Sequence, residues 1–121
     1  MSIVIDYTKG FFEPSPAGET VGDITSSTLD LSTSNVFSDA LSANVTYVFS
    51  NPPATGTAYG FTLKVTQDST ARTITWPASV DWPSATAPTL STGSGAVDVF
   101  VFFTIDGGTT YYGFTSGQAL G

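Results

Sequence analysis

The sequence contains no cysteine and no histidine, so several kinds of chemistry have no residues to carry them. Without cysteine there is no disulfide, no thiol nucleophile and no zinc–thiolate site. Without histidine, the chain lacks the side chain that most often serves as a general base or a metal ligand. We therefore expect no metal, no cofactor and no enzymatic activity.

Positive charge is also scarce, with three Lys and Arg residues against ten Asp and Glu residues and a net charge of −7. The cations Lys9, Lys64 and Arg72 are too few to form a basic patch. Such a chain is repelled by nucleic-acid phosphates and by anionic membranes. No apolar run approaches the roughly 20 residues of a membrane span, and Met1 to Asp6 do not resemble a secretory leader. We expect no nucleic-acid or membrane partner, and synthesis in the cytoplasm.

The acidic and aromatic residues offer weaker candidates for chemistry. Ten carboxylates in 121 residues place some pairs at glycosidase spacing, roughly 5 to 10 Å, by chance alone. Asp106-Gly107-Gly108 lacks the spaced acidic ligands of a calcium loop, which favours a plain turn. Some aromatic residues could stack on sugar rings, although packing in a core or an interface is their commoner use. These aromatic residues are Tyr59, Trp76, Trp82, Tyr111 and Tyr112.

The chain does contain a series of short β segments separated by Gly and Pro turns. Residues 59–66 alternate strictly between large apolar and small or polar side chains, and we predict a hairpin between this strand and 72–76. Residues 96–105 form the most apolar run, which turns into a last strand at 110–115. This spacing predicts an all-β fold, a single β-sandwich or jelly-roll-like domain over residues 26–121.

Residues 1–25 differ from the rest and are predicted to form an extended N-terminal arm. Four turn-forming residues break any regular element there: Gly10, Pro14, Pro16 and Gly18. Tyr7, Phe11 and Phe12 lie in this arm without periodic apolar partners. Two interpretations stay open. The arm folds back to cap its own core, or these aromatic residues anchor it in a groove of a partner.

The strand at 96–105 carries large apolar side chains on both of its faces. One face holds Val97, Val99, Val101, Phe103 and Ile105, and the other holds Asp98, Phe100, Phe102 and Thr104. The first face is expected to meet the opposite sheet. Because a solvated face would not carry two Phe residues, we predict that Phe100 and Phe102 form a subunit interface. The alternative is that the proline-rich stretch 77–90, with Trp82, covers them within the chain.

Two motifs carry a resemblance to a known family. One is the paired Trp-Pro motif Trp76-Pro-Ala-Ser-Val-Asp-Trp82-Pro, and the other is Asp106-Gly-Gly-Thr-Thr110 after the apolar strand. Together with Leu29-Asp-Leu-Ser-Thr and Asn51-Pro-Pro-Ala-Thr-Gly-Thr, the chain over 28–121 resembles a module at the ends of many tailed-bacteriophage structural proteins, including tail fibres. The resemblance implies a virion component. It fixes no catalytic or binding residue.

A short arm precedes the module here, where a fibre has a long shaft. The arrangement is therefore more similar to a capsid decoration (cement) protein, many of which sit as trimers on the head shell. The resemblance implies a virion structural protein on the capsid surface, made in the host cytoplasm, which forms a homotrimer and binds the major capsid protein. The alternative is a tail-associated fibre tip or adaptor that binds host receptor glycans.

Overall fold

The computed structural model describes residues 18–121. The predicted anchoring residues Tyr7, Phe11 and Phe12 lie outside the described residues. Within the described part the protein is all-β, as the period-two pattern predicts, and its one short helical element is a 3₁₀ turn at Pro83–Ala85.

Ten strands follow one another along the described chain. They are β1 (Ile24–Thr25), β2 (Thr28–Asp30), β3 (Val36–Ala40), β4 (Val45–Thr46), β5 (Val48–Ser50), β6 (Tyr59–Thr66), β7 (Ile74–Thr75), β8 (Val80–Asp81), β9 (Val97–Thr104) and β10 (Tyr111–Leu120).

The strands form one large sheet and two small ones. The large sheet has five strands in the order β3-β6-β9-β10-β8, and the small sheets have the orders β1-β2-β5 and β4-β7. Side chains of the small sheets and of the adjoining segments pack against one face of the large sheet. The predicted sandwich is thereby confirmed.

An aromatic cluster forms the centre of the core between the sheets. Phe49, on β5, packs edge-on against Phe61, Phe102 and Tyr111 of the large sheet, with ring centroids 5.0, 5.2 and 5.0 Å away. Edge-to-face pairs of this kind add about 0.5–1.5 kcal/mol each beyond the burial of their area. The aromatic ring of Phe49 thus holds the β1-β2-β5 sheet on the large one.

The strand pairing confirms one predicted hairpin and corrects another. β9 and β10 pair antiparallel, as expected, but β6 lies between β3 and β9, and β7 pairs with β4. The reason lies in the buried amide of Gln67, whose Oε1 accepts hydrogen bonds from the N–H groups of Asp68 and Arg72, both at 2.9 Å. Its Nε2 donates to the carbonyls of Arg72 and Ser91. These bonds hold 67–72 in a wide loop that leads the chain to the opposite side of the core.

The sandwich begins earlier than the predicted boundary after residue 25. The Gly22 N–H donates to the Val36 carbonyl at 2.7 Å, and Ile24 pairs with Leu29 between β1 and β2. Ile24 also packs against the core. The last residues of the predicted arm therefore belong to the folded domain.

Candidate functional site

Phe100 and Phe102 lie inside the core, with 1% and 0% of their surface exposed. The ring of Trp76 lies 4.9 Å from Phe100, and the ring of Trp82 lies 5.6 Å from Phe102. The prediction of a subunit interface at Phe100 and Phe102 is therefore wrong. The proline-rich stretch covers them instead, because β8 joins the large sheet beside β10 and places the following Trp82 over the core face.

The other face of β9 points away from the core, and we call this side of the large sheet the outer face. Pairing between β9 and β10 places Phe103 opposite Tyr112, Val101 opposite Phe114 and Val97 opposite Leu120. We call the resulting row of exposed or half-buried side chains the apolar stripe. It comprises Val97, Val99, Val101, Phe103, Tyr112, Phe114 and Leu120.

Three aromatic rings form the centre of the apolar stripe. The Phe103 ring is 5.2 Å from the Tyr112 ring and 6.3 Å from the Phe114 ring, to which it is nearly parallel at 9°. These side chains are 40%, 40% and 44% exposed, respectively. Aromatic side chains on a paired strand lose little conformational entropy when they are covered, so they suit a docking surface.

The apolar stripe has a polar margin on each side. On β6 the outer-face residues are Gly60, Thr62, Lys64 and Thr66, and on β8 the outer-face residue is Asp81, next to Tyr112. Among the described strand residues of the large sheet, the charged side chains on this face are Lys64 and Asp81, both exposed. The outer face therefore has an apolar centre and a polar rim, which is the usual anatomy of a protein interface.

The turn before β10 sets the position of the aromatic rings. Asp106 Oδ1 accepts hydrogen bonds from the Thr110 N–H at 2.9 Å and from the Thr104 hydroxyl at 3.0 Å. These bonds, the one from Thr110 first, lower the pKa of Asp106 below its ordinary value. Gly107 and Gly108 have backbone φ angles of 69° and 80°, which residues with a side chain rarely adopt. The motif is a turn, as predicted, and it fixes the register that brings Tyr112 beside Phe103.

A buried carboxylate holds the other end of β10. Asp98 is 1% exposed and accepts hydrogen bonds from the N–H groups of Ser91 at 2.8 Å and Ala119 at 2.9 Å, and from Gln118 Nε2 at 3.3 Å. Burial by itself raises the pKa of Asp98, but these hydrogen bonds outweigh it and the pKa is lowered. The irregular last residues of β10 are thereby tied to β9, and Leu120 comes to lie on the outer face.

Of the five aromatic residues considered for sugar stacking, Tyr112 is exposed, Tyr59 and Trp76 are half-buried, and Trp82 and Tyr111 are buried. The sequence interpretation missed Phe103 and Phe114 as exposed rings. The signal for their shared face was present, since Phe103 has the same parity as Val101 and Phe114 has the same parity as Tyr112. The sequence does not indicate which of the two faces of each strand is exposed to solvent.

Several clefts on the described surface are small. Four of them have volumes of about 200 to 240 Å³, below the roughly 300–1,000 Å³ usual for ligand pockets. One is lined by two carboxylates, Asp23 and Asp30. Hydrogen bonds from the side chains of Ser32 and Asn51 lower the pKa of Asp30, whereas a glycosidase acid needs a raised pKa. That carboxylate is unsuited to donate a proton near neutral pH.

Other features of the described residues add no second candidate. No cluster of three or more Asp or Glu side chains is placed to hold a metal ion within residues 18–121. In the same range there is no helix long and apolar enough to cross a membrane. Comparison of the chain with protein-family models, with curated proteins and with solved structures finds no match.

Proposed function

We propose that this chain is a structural protein of a bacteriophage virion and that it acts by binding neighbouring proteins, without catalysis. The observation that carries the proposal is the apolar stripe, which lies on a sheet whose opposite face already holds a complete core. An exposed apolar patch rimmed by polar residues often marks a contact with another protein. The resemblance of residues 28–121 to phage structural modules supports the virion as the setting.

The size of the exposed patch fits an interface. Four large apolar side chains of the stripe are between 40% and 48% exposed: Phe103, Tyr112, Phe114 and Leu120. At roughly 200 Å² for each side chain when fully exposed, they leave on the order of 350 Å² of apolar surface open. A specific interface covers about 800 Å² on each partner. The stripe therefore supplies the apolar centre of one interface, and its polar margins supply the rim.

In this proposal the protein is a capsid decoration protein on the head surface. Its copies form a homotrimer, and Tyr7, Phe11 and Phe12 bind the major capsid protein. The net charge of −7 and the shortage of cations exclude a contact that depends on a basic patch, so apolar and aromatic contacts carry the binding.

The number of copies per virion tests the proposed location. Purified virions of the phage that encodes this chain are analysed by quantitative mass spectrometry, with the major capsid protein as internal standard. Hundreds of copies per particle are expected for a protein that decorates the shell. A handful would place the chain on the tail, and its absence from virions would overturn the proposal.

Binding of the purified full-length chain to heads that lack it tests the anchoring residues. Replacing Tyr7, Phe11 and Phe12 together by Ala should reduce co-sedimentation with heads at least tenfold, because aromatic anchors contribute about 1.5–3 kcal/mol each when buried. Val21→Ala, an exposed residue in the described part, is the control. Undiminished binding of the triple variant would show that another segment is the anchor.

A fibre tip or adaptor that binds glycans is the second candidate function. The observation in its favour is a groove of about 200 Å³ lined by Asp81, Pro83, Tyr112 and Phe114, with Trp82 at its base. A carboxylate beside exposed rings is a common arrangement for a sugar, which stacks on the ring and donates hydrogen bonds to the acid. Binding to host surface glycans that Tyr112→Ala abolishes, together with a low copy number, would favour this function.

A further inference from the structure

The two charged side chains of the outer face lie on opposite sides of the apolar stripe. Lys64 is on β6 and Asp81 is on β8, and β9 and β10 run between these strands. Lys64 is paired with Val99, whereas Asp81 is paired with Tyr112, which lies opposite Phe103. The two charges are therefore offset by four residues along the strands, or about 13 Å. The stripe thus has a cation at one margin and an anion at the other.

A surface with this arrangement is complementary to a second copy of itself. When the stripe of one copy packs on the stripe of another, a rotation exists that brings the cation of one margin against the anion of the other. Packing of one stripe on another is a two-fold contact, which forms the pair twice. In a ring such as a trimer, the Lys64 margin of each copy meets the Asp81 margin of the next and forms the pair once per interface. A purely apolar partner would instead leave both charges desolvated and unpaired, which is costly.

The net charge of the chain makes this local pairing more important. Copies with a net charge of −7 repel each other, so a contact in which a cation opposes an anion is favoured over one that places like charges together. In the described chain the cations are Lys64 and Arg72, and the Arg72 guanidinium is already 2.9 Å from the Asp68 carboxylate, in the loop that follows β6. Lys64 is the cation that the outer face presents.

We propose that the outer face is the contact between copies of this chain, and that Lys64 of one copy forms an ion pair with Asp81 of another across it. This inference rests on the proposed assembly function and names its surface. It replaces Phe100 and Phe102 as the contact residues. In the trimer of the proposed function, the Lys64 margin of each copy meets the Asp81 margin of the next.

A charge-swap cycle on the full chain tests the proposal. The variants are Lys64→Glu, Asp81→Lys and the double substitution, and their association is measured by light scattering and sedimentation across protein concentrations. Each single substitution should weaken association at least about tenfold, because it places like charges together in the contact. The double substitution should restore association to within about threefold of the original chain, because it recreates the pair with the charges exchanged.

Net charge alone predicts a different pattern. Asp81→Lys makes the chain less negative, so a general reduction of repulsion would strengthen association, whereas loss of the pair weakens it. Asp23→Lys makes the same change of net charge at an exposed residue of the described surface outside the large sheet, and serves as the matched control. It should leave association unchanged or stronger.

Three results would overturn the inference. The first is that the unaltered chain proves to be a monomer at all concentrations. The second is that the single substitutions leave the oligomer intact, and the third is that the double substitution fails to restore it. Circular dichroism of each variant shows whether the fold is kept, which is expected at exposed strand positions. If virions contain the chain but the pure protein is monomeric, the proposed place in the virion stands, whereas the homotrimer and this inference both fail.

Discussion

Phe102 and Phe103 are neighbours on β9 that point to opposite faces, so the same substitution at each of them tests how the two faces are assigned. Phe102 is 0% exposed and its ring lies 4.9 to 5.6 Å from the rings of Phe61, Phe49, Trp76 and Trp82. Truncating a Phe in such a core costs about 3–5 kcal/mol, from lost burial and from the cavity that remains. Because domains of this size are stable by only about 5–15 kcal/mol, we expect Phe102→Ala to be severely destabilised.

The effect of Phe103→Ala should be smaller and different in kind. Its side chain is 40% exposed and contacts the Tyr112 and Phe114 rings on the outer face. Removing it costs about 1–3 kcal/mol in the dissociated chain, because two ring contacts of about 0.5–1.5 kcal/mol each are lost. If the outer face is an interface, the same substitution should also reduce self-association.

Urea unfolding followed by far-ultraviolet circular dichroism measures both effects, at two protein concentrations at least fiftyfold apart. The free energy of unfolding of Phe102→Ala should fall by about 3–5 kcal/mol at both concentrations, with an unchanged dependence on urea. The concentration dependence expected of an oligomer should be reduced in Phe103→Ala.

The opposite ranking would refute the assignment. If Phe103→Ala unfolds more easily than Phe102→Ala in the dissociated chain, the core lies on the other face of β9. If Phe102→Ala loses oligomerisation while its stability changes by less than about 1 kcal/mol, well below the cost of a core truncation, Phe102 is an interface residue after all.

Two further predictions concern the positions that hold β10 in place. The pKa of Asp98 is lowered in the folded protein, so its contribution is present at neutral pH and is lost as the pH falls below about 4 towards the folded pKa. Asp98→Asn should therefore lose about 1–3 kcal/mol at pH 7 and should differ less from the original chain at pH 3, in urea unfolding at both pH values. An Ala Cβ at Gly113 would lie 2.8 Å from Val80 Cγ1 and 2.9 Å from the Trp82 ring, so Gly113→Ala should cost about 1–3 kcal/mol and shift tryptophan fluorescence. The control Gly60→Ala, whose Cβ would be 3.5 Å from its nearest neighbour, should cost less; equal losses would contradict the packing argument.

Local patterns were enough to predict the all-β class and the last hairpin. The alternation in residues 59–66 gives β6 its two faces, and Asp106-Gly107-Gly108 supplies a turn whose geometry needs glycine. Both signals depend on residues close in sequence. The same approach failed for the hairpin between 59–66 and 72–76, because the side chain of Gln67 takes up the backbone groups of the loop.

The sequence did not show which face of β9 meets the core. Both faces are apolar, so the period of two identifies which residues share a face but not which face meets the core. That choice is made by Trp76 and Trp82, which a distant segment brings over Phe100 and Phe102. The sequence showed apolar side chains on both faces of the strand, but the face predicted to meet a neighbouring subunit is the one that faces the core.

The large sheet is also protected at one of its edges. β8 is only two residues long, and Pro77 and Pro83 lie close to its two ends. Proline has no N–H group to offer an incoming strand, and a strand this short presents few free backbone groups. A protein with few charged side chains and with apolar strands is prone to edge-to-edge strand pairing that leads to fibrils. At β8 this addition of strands is disfavoured. The protein can therefore expose apolar side chains on the outer face without further strands pairing at that edge.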